Sequence, residues 1–194
     1  MRSAAIVCGI LLISSLAFAD PSFEKIRDQS PDGKFAMRIQ CDSEPDDPEN
    51  IDTSVITAID LVSLPDKKVV ASLLAKDNVG STFSEVTLLW SSDSKWCAFY
   101  YAQPRVGYTS VFHVSGKAVK AANKPEELMA KVKGDVRNEY IKPIKWLKPG
   151  QLQLEQYSMM RGGDAESDSK LQLTAGLNPK GKFVVISKKK LPND

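Results

Sequence analysis

His113 and Cys97 are the residues of this sequence whose types best suit acid–base or nucleophilic chemistry. His113, the sole histidine, lies in the run SVFHVSG, and Cys97 lies in WCAFYYA. A catalytic Cys–His pair needs a partly exposed thiolate within hydrogen-bond reach of the imidazole, which apolar neighbours disfavour. A single histidine cannot form a three-histidine zinc site, and the sequence lacks nucleophile-elbow, phosphate-binding and dinucleotide motifs. We therefore predict a protein that is not an enzyme and uses no cofactor.

Carboxylate side chains are concentrated in two polar segments, residues 42–52 and 161–170. In the second segment, Asp164, Glu166 and Asp168 alternate after a pair of glycines. Because Ca²⁺ takes several oxygen ligands, these three residues are candidate calcium ligands, although the spacing of an EF-hand loop is absent. We interpret both segments as solvated loops between strands and expect no metal site.

A hairpin that carries tyrosines and an arginine is the candidate contact surface. Tyr101 and Tyr108 flank the segment AQPRVG, in which proline and glycine predict a turn with Arg105 at its tip. Tyrosine and arginine are enriched among the residues that anchor protein interfaces. Arg105, Tyr108 and Tyr101 are therefore the candidate binding residues, and a plain hairpin is the alternative.

The N-terminal segment predicts export. Arg2 precedes an apolar run that ends in the small-x-small sequence AFA at residues 17–19. This pattern is typical of a secretory signal peptide over residues 1–19. A retained anchor is the alternative, but the run is short beside the roughly 20 residues of a membrane span. We expect residues 20–194 to form one periplasmic or secreted domain, with no membrane span after cleavage of the signal peptide.

Two cysteines, Cys41 and Cys97, fall in the predicted mature chain. An oxidising compartment allows two such thiols to form a disulfide. The bond also requires Cβ atoms that face each other at short distance, which the sequence does not specify. A Cys41–Cys97 disulfide and two separate buried thiols are both open at this point.

Alternating apolar runs predict an all-β domain. In FAMRIQC, for example, Phe35, Met37 and Ile39 share one strand face and Arg38 lies on the other. Turn sequences rich in Pro, Asp, Gly and Ser separate these runs. One short connecting helix of about two turns is predicted to begin at Pro125 and to stop at Gly134, because proline and acidic residues favour a first helical turn and glycine favours a helix end.

The turn SPDGKF at residues 30–35 is similar to SSDSKW at residues 91–96. With the turn that follows Trp146, these turns divide the strands into three units of about four, residues 22–74, 85–122 and 140–190. The pattern resembles the blade motif of TolB-like and WD-repeat-like β-propellers and of the propeller domains in prolyl oligopeptidase relatives. The resemblance implies three consecutive four-stranded antiparallel propeller-like sheets. An ordinary antiparallel β-protein whose turns match by chance is the alternative.

The resemblance also implies roles for the residues of the two turns. In the blade motif the Asp and Gly shape the turn, and the aromatic residue after the Lys packs between sheets. These roles fall to Asp32, Gly33 and Phe35, and to Asp93, Ser94 and Trp96. Ser92 stands where the motif has proline and Ser94 where it has glycine, so the second copy departs from the pattern at two positions.

Charge and motif content favour a binding protein. The formal net charge is +2, and the sequence has no basic and aromatic array of the kind that binds nucleic acid. We expect an exported, non-enzymatic binding or scaffold protein that engages a protein partner through hairpin loops. The alternative is a small secreted hydrolase, or a protein that binds carbohydrate or Ca²⁺, using the acidic loops.

Overall fold

The computed structural model describes residues 23–47, 51, 55–163 and 167–192, so the predicted signal peptide at 1–19 lies outside the described residues. Among the described residues the chain forms twelve strands. They are β1 (Phe23–Arg27), β2 (Phe35–Cys41), β3 (Ile56–Ser63), β4 (Val69–Ser72), β5 (Glu85–Trp90), β6 (Trp96–Ala102), β7 (Val106–Ser115), β8 (Ala118–Ala121), β9 (Val136–Lys148), β10 (Gln151–Met160), β11 (Ser169–Leu177) and β12 (Phe183–Lys190). No helical segment in this part of the chain has the length and apolar character of a membrane span.

The all-β prediction is confirmed, but the prediction of three propeller-like sheets is wrong. Strands β1 to β4 form one antiparallel sheet in chain order, whereas β5 to β12 belong to a single eight-stranded sheet. Within the larger sheet, the start of β9 pairs in parallel with the start of β7, at Val106↔Glu139 and Gly107↔Tyr140. The described residues therefore form no closed propeller, and the resemblance to propeller blades does not hold for the fold.

The length of β7 explains why the second and third strand groups merge. β7 has ten residues, but β8 pairs only with the last part of it, from Phe112 to Ser115. The earlier part of this edge needs other hydrogen-bond partners, because a buried backbone group without a partner costs free energy. The edge obtains them from β9 and from Asn123, whose Oδ1 accepts from Val111 N at 2.7 Å and whose Nδ2 donates to Thr109 O at 3.2 Å.

The predicted connecting helix is only a 3₁₀ turn at Pro125–Leu128, and a second 3₁₀ turn spans Lys76–Asn78. The helix cannot continue because the next residues are bound across β10. Ala130 N donates to Gln156 Oε1 at 2.7 Å, and Gln156 Nε2 donates back to Ala130 O at 2.8 Å. Residues 128–130 therefore form a strap against β10, with the buried Leu128 at its start.

The core consists of two apolar clusters on opposite sides of β6. Cys97, Phe99 and Tyr101 belong to the first cluster, which they share with residues of the four-stranded sheet. Ala98 belongs to the second cluster, which it shares with residues of β9 to β12 and with the strap. Because successive residues of a strand point to opposite faces, β6 is covered on both sides. Its near-continuous apolar sequence follows from this position.

The two sheets are joined where the chain leaves β1. Arg27 Nη2 donates to Val86 O, and the Asp28 carboxylate accepts from Leu88 N at 2.9 Å. Trp90 Nε1 donates to Asp28 O at 2.8 Å. These contacts occupy the outer edge of β5, an edge that would otherwise be open to pairing with another chain.

Substitution of Phe99 tests the position of β6 in the core. Phe99 is 0% exposed and its ring lies 5.8 Å from that of Tyr101. We expect Phe99→Ala to lower the free energy of unfolding by about 3–5 kcal/mol, because a large cavity would remain. Urea denaturation followed by tryptophan fluorescence measures this change.

The matched control is Ile186→Ala, because Ile186 is 51% exposed. Its free energy of unfolding should change by about 0.5 kcal/mol or less. Equal losses in the two variants would contradict the placement of Phe99 in the first core cluster.

Candidate functional site

The turn before β2 is held by a closed set of hydrogen bonds. Ser30 Oγ donates to Asp32 Oδ1 at 2.8 Å and accepts from Phe35 N at 3.0 Å. Asp32 Oδ1 also accepts from Lys34 N at 3.2 Å. Gly33 has a φ of 71°, in the left-handed region that glycine enters without steric cost. The sequence therefore specifies this turn through its serine, aspartate and glycine.

The turn between β5 and β6 repeats the same hydrogen bonds. Ser91 Oγ donates to Asp93 Oδ1 at 2.6 Å and accepts from Trp96 N at 3.1 Å. Asp93 Oδ1 accepts from Lys95 N at 3.1 Å. The predicted turn roles of the two aspartates are thus seen in both places, although the turns do not mark propeller blades.

Ser94 occupies the left-handed position of the second turn, with a φ of 56°. A serine is costly there compared with glycine. Its side chain has a specific partner, because Asp32 N of the first turn donates to Ser94 Oγ at 3.0 Å. The departure from glycine therefore provides a hydrogen bond that ties one turn to the other.

A half-open groove of about 690 Å³ lies where these two turns meet the turns that follow β3 and β7. This volume is within the usual range of ligand sites. The groove is lined by Asp32, Lys34, Phe35, Ser63, Leu64, Asp93, Ser94, Lys95, His113, Val114, Ser115, Gly116 and Lys117.

The backbone of the groove is fixed on both sides in the same way. Lys34 O accepts from Leu64 N at 2.8 Å, and Lys95 O accepts from Val114 N at 2.8 Å. Each lysine therefore has an anchored main chain and an exposed side chain. The two sheets contribute equivalent walls to one site.

Hydrogen bonds within the turns engage the two carboxylates of the groove. Burial raises the pKa of Asp32, but hydrogen bonds from Ser30 and Lys34 and the charge of Lys34 outweigh it, so the pKa lies below its usual value. For Asp93, burial likewise raises the pKa, and the bonds from Ser91 and Lys95 together with the charge of Lys95 reverse the effect. Both side chains are therefore held as ionised turn residues.

The lysines give the groove its remaining charge. Lys34 Nζ lies 3.2 Å from Asp32 Oδ2, so this lysine is partly neutralised. Lys95 and Lys117 are exposed and take part in no ion pair within the described part of the chain. The opening of the groove thus has more positive than negative charge.

His113 is part of the groove wall. The centroid of its ring lies 4.4 Å from the centroid of the Trp96 ring. Trp96 packs in turn against Phe183, with 5.8 Å between the ring centroids. Cys97 is the neighbour of Trp96 in β6 and points to the opposite face, where it is 0% exposed and burial raises its pKa. His113 and Cys97 are therefore not brought together as a catalytic pair.

Cys41 and Cys97 are free thiols in the structure, and both are buried in the first core cluster. Cys97 is the second residue of β6, close to the junction of the turns, whereas Cys41 is the last residue of β2. β2 and β6 begin at turns that contact each other. Cys97 therefore lies near that contact, and Cys41 lies at the far end of β2. No disulfide joins them.

The predicted contact residues lie at the other end of β6 from the groove. Tyr101 and Tyr108 are paired across β6 and β7 with ring centroids 5.9 Å apart, and Arg105 is exposed in the turn between them. Tyr101 is 6% exposed, and its hydroxyl accepts from Asn78 Nδ2 at 3.1 Å. Tyr101 is thus a core residue, while a contact role for Arg105 and Tyr108 stays a prediction.

Of the calcium candidates, Asp164 and Glu166 lie outside the described residues. The carboxylate of Asp168 accepts from Tyr157 Oη at 2.6 Å and from Met160 N at 2.9 Å. It therefore closes the β10–β11 hairpin. No group of three or more His, Cys, Asp or Glu side chains in the described ranges could hold a metal ion.

Sequence reasoning identified the two turns but missed the groove. The signal was present in the lysine that follows each Asp-Gly or Asp-Ser pair, at Lys34 and Lys95. The sequence does not indicate that Lys117 and His113 also line the groove, because this depends on which strand ends meet at the junction. Comparison with known protein families and with characterised proteins finds no family model and no relative that match this chain.

Replacement of Ser94 tests the link between the turns. We expect Ser94→Ala to lower the free energy of unfolding by about 1 kcal/mol, because a hydrogen bond is lost while the left-handed backbone is kept. Ser94→Gly loses the same bond but relieves the backbone, so its loss should be smaller. Thermal and urea denaturation compare the two variants, and a larger loss for Ser94→Gly would contradict this explanation.

The lowered pKa values of Asp32 and Asp93 predict a pH dependence of stability. A carboxylate with a lowered pKa stabilises the fold above its unfolded value of about 3.9, and this contribution disappears as the pH falls through the folded value. We expect Asp32→Asn/Asp93→Asn to be less stable than the parent at about pH 7, by a margin that becomes smaller when the pH is lowered to about 3.

Urea denaturation at both pH values measures this difference, with the exposed Asp77→Asn as control. The control should change the free energy of unfolding by about 0.5 kcal/mol or less at about pH 7. An unchanged dependence in the double variant would show that the turn hydrogen bonds do not hold these carboxylates in the ionised form.

Proposed function

We propose that this protein is an exported, non-enzymatic binding protein that engages a protein partner through the hairpin turns around the junction groove. One observation carries the proposal: two equivalent turns, tied by the Asp32–Ser94 hydrogen bond, hold a groove of about 690 Å³ open between two sheets. Its walls are fixed by backbone hydrogen bonds, while its lysine side chains are exposed.

The chemistry of the groove supports binding over catalysis. The two carboxylates are acceptors within their own turns, and the imidazole packs against Trp96 with its ring tilted by 41°. A rigid frame lowers the entropic cost of binding, because the site need not be ordered when the partner arrives. Export is the part of the proposal that rests on the sequence of residues 1–19 alone.

Site-specific photocrosslinking tests the proposal. Ser115 is exposed and lines the groove, whereas Ser187 is exposed on the edge strand β12. A benzophenone amino acid placed at Ser115 in the producing cells should give a discrete crosslinked protein on denaturing gels. The same group placed at Ser187 is the matched control and should not give that product. Identical products at both positions, or none at Ser115, would refute the groove as the partner site.

A further inference from the structure

We infer that the partner segment received by the groove is acidic, with an apolar side chain flanked by aspartate or glutamate. This inference rests on the proposed function and specifies the chemistry of the partner. It follows from the arrangement of charged and apolar residues around the groove, which are contributed by separate turns of both sheets.

Three lysines from separate turns line the groove and outnumber its two carboxylates, Asp32 and Asp93, which accept hydrogen bonds within their own turns. Lys34 comes from the turn before β2, Lys95 from the turn before β6 and Lys117 from the turn after β7. The Lys34 side chain is 73% exposed although it contacts Asp32. A ligand that enters the groove therefore meets an ammonium group on more than one side, which attracts carboxylates and repels a cationic segment.

The bottom of the groove is apolar. Phe35 is 8% exposed and Val114 is 4% exposed, and Leu64 is half-buried beside them. An apolar centre with a charged rim is the usual arrangement of a protein interface. It suits an apolar side chain inserted between carboxylates better than it suits a free inorganic anion, which gains nothing from the apolar surface.

The type of cation also favours flexible carboxylates. The groove contains lysines and no arginine among its lining residues. Lysine is a compact point charge on a flexible stem and lacks the planar fork that recognises phosphate or carboxylate in a bidentate manner. Three separate point charges fit several acidic side chains spread along a segment.

A peptide titration followed by amide NMR shifts tests the inference. The probe is the synthetic peptide acetyl-Glu-Glu-Leu-Glu-Glu-amide, added to the purified protein. We expect shifts at the amides of Lys34, Lys95, Val114 and Lys117, and an affinity that falls as NaCl is raised from about 50 to about 300 mM.

A charge-reversed variant, Lys34→Glu/Lys95→Glu/Lys117→Glu, should bind the peptide at least about tenfold more weakly. The matched control, Lys188→Glu/Lys189→Glu/Lys190→Glu, changes the net charge equally on an edge strand outside the groove and should bind within about twofold of the parent. Equal losses in both variants would overturn the inference, because only the total charge would then matter.

Two further probes separate the inference from the proposed function. If acetyl-Lys-Lys-Leu-Lys-Lys-amide or inorganic phosphate shifts the groove amides and the acidic peptide does not, the acidic partner is wrong while the groove stands as a binding site. If no probe shifts a groove amide and the Ser115 crosslink is also absent, the proposed function fails together with the inference.

Discussion

Burial of β6 on both faces is the constraint on which the rest of the structure depends. Phe99 and Tyr101 face the four-stranded sheet, and Ala98 faces the cluster built by β9 to β12. A strand in this position can satisfy its backbone only through its two neighbours in the sheet. β7 pairs with it along its whole length, and β5 pairs with it from Cys97 to Ala102. The apolar layers on either side are thereby held at fixed positions.

The outer edges of β5 and β7 obtain their hydrogen-bond partners in different ways. Arg27 and Asp28 bind the outer edge of β5, which attaches the smaller sheet. The free edge of β7 is divided between β8, Asn123 and β9. Because the short β8 covers only part of β7, the remaining backbone donors and acceptors of β7 bind the segment that follows β8. One eight-stranded sheet results.

The junction of the sheets links the fold to the proposed function. The hydrogen bonds that shape the turns engage Asp32 and Asp93, while Lys34 and Lys95 have anchored backbones and exposed side chains. The same contacts that join the sheets thus create a groove with a fixed shape and an excess of exposed positive charge. The left-handed backbone of Ser94 is the cost of this arrangement, and its hydrogen bond from Asp32 N offsets that cost.

The sequence by itself determined the strands, the turns and the all-β class, because these depend on residues that are close in the chain. The alternation of Phe35, Met37 and Ile39 specifies a strand face, and serine and aspartate in each turn specify its hydrogen bonds. Burial of Tyr101, the merging of β5 to β12 and the groove were decided only by the tertiary structure. They depend on which strand edges and turns meet, and a local pattern of residues does not encode a contact between segments some 60 positions apart, such as the bond from Asp32 to Ser94.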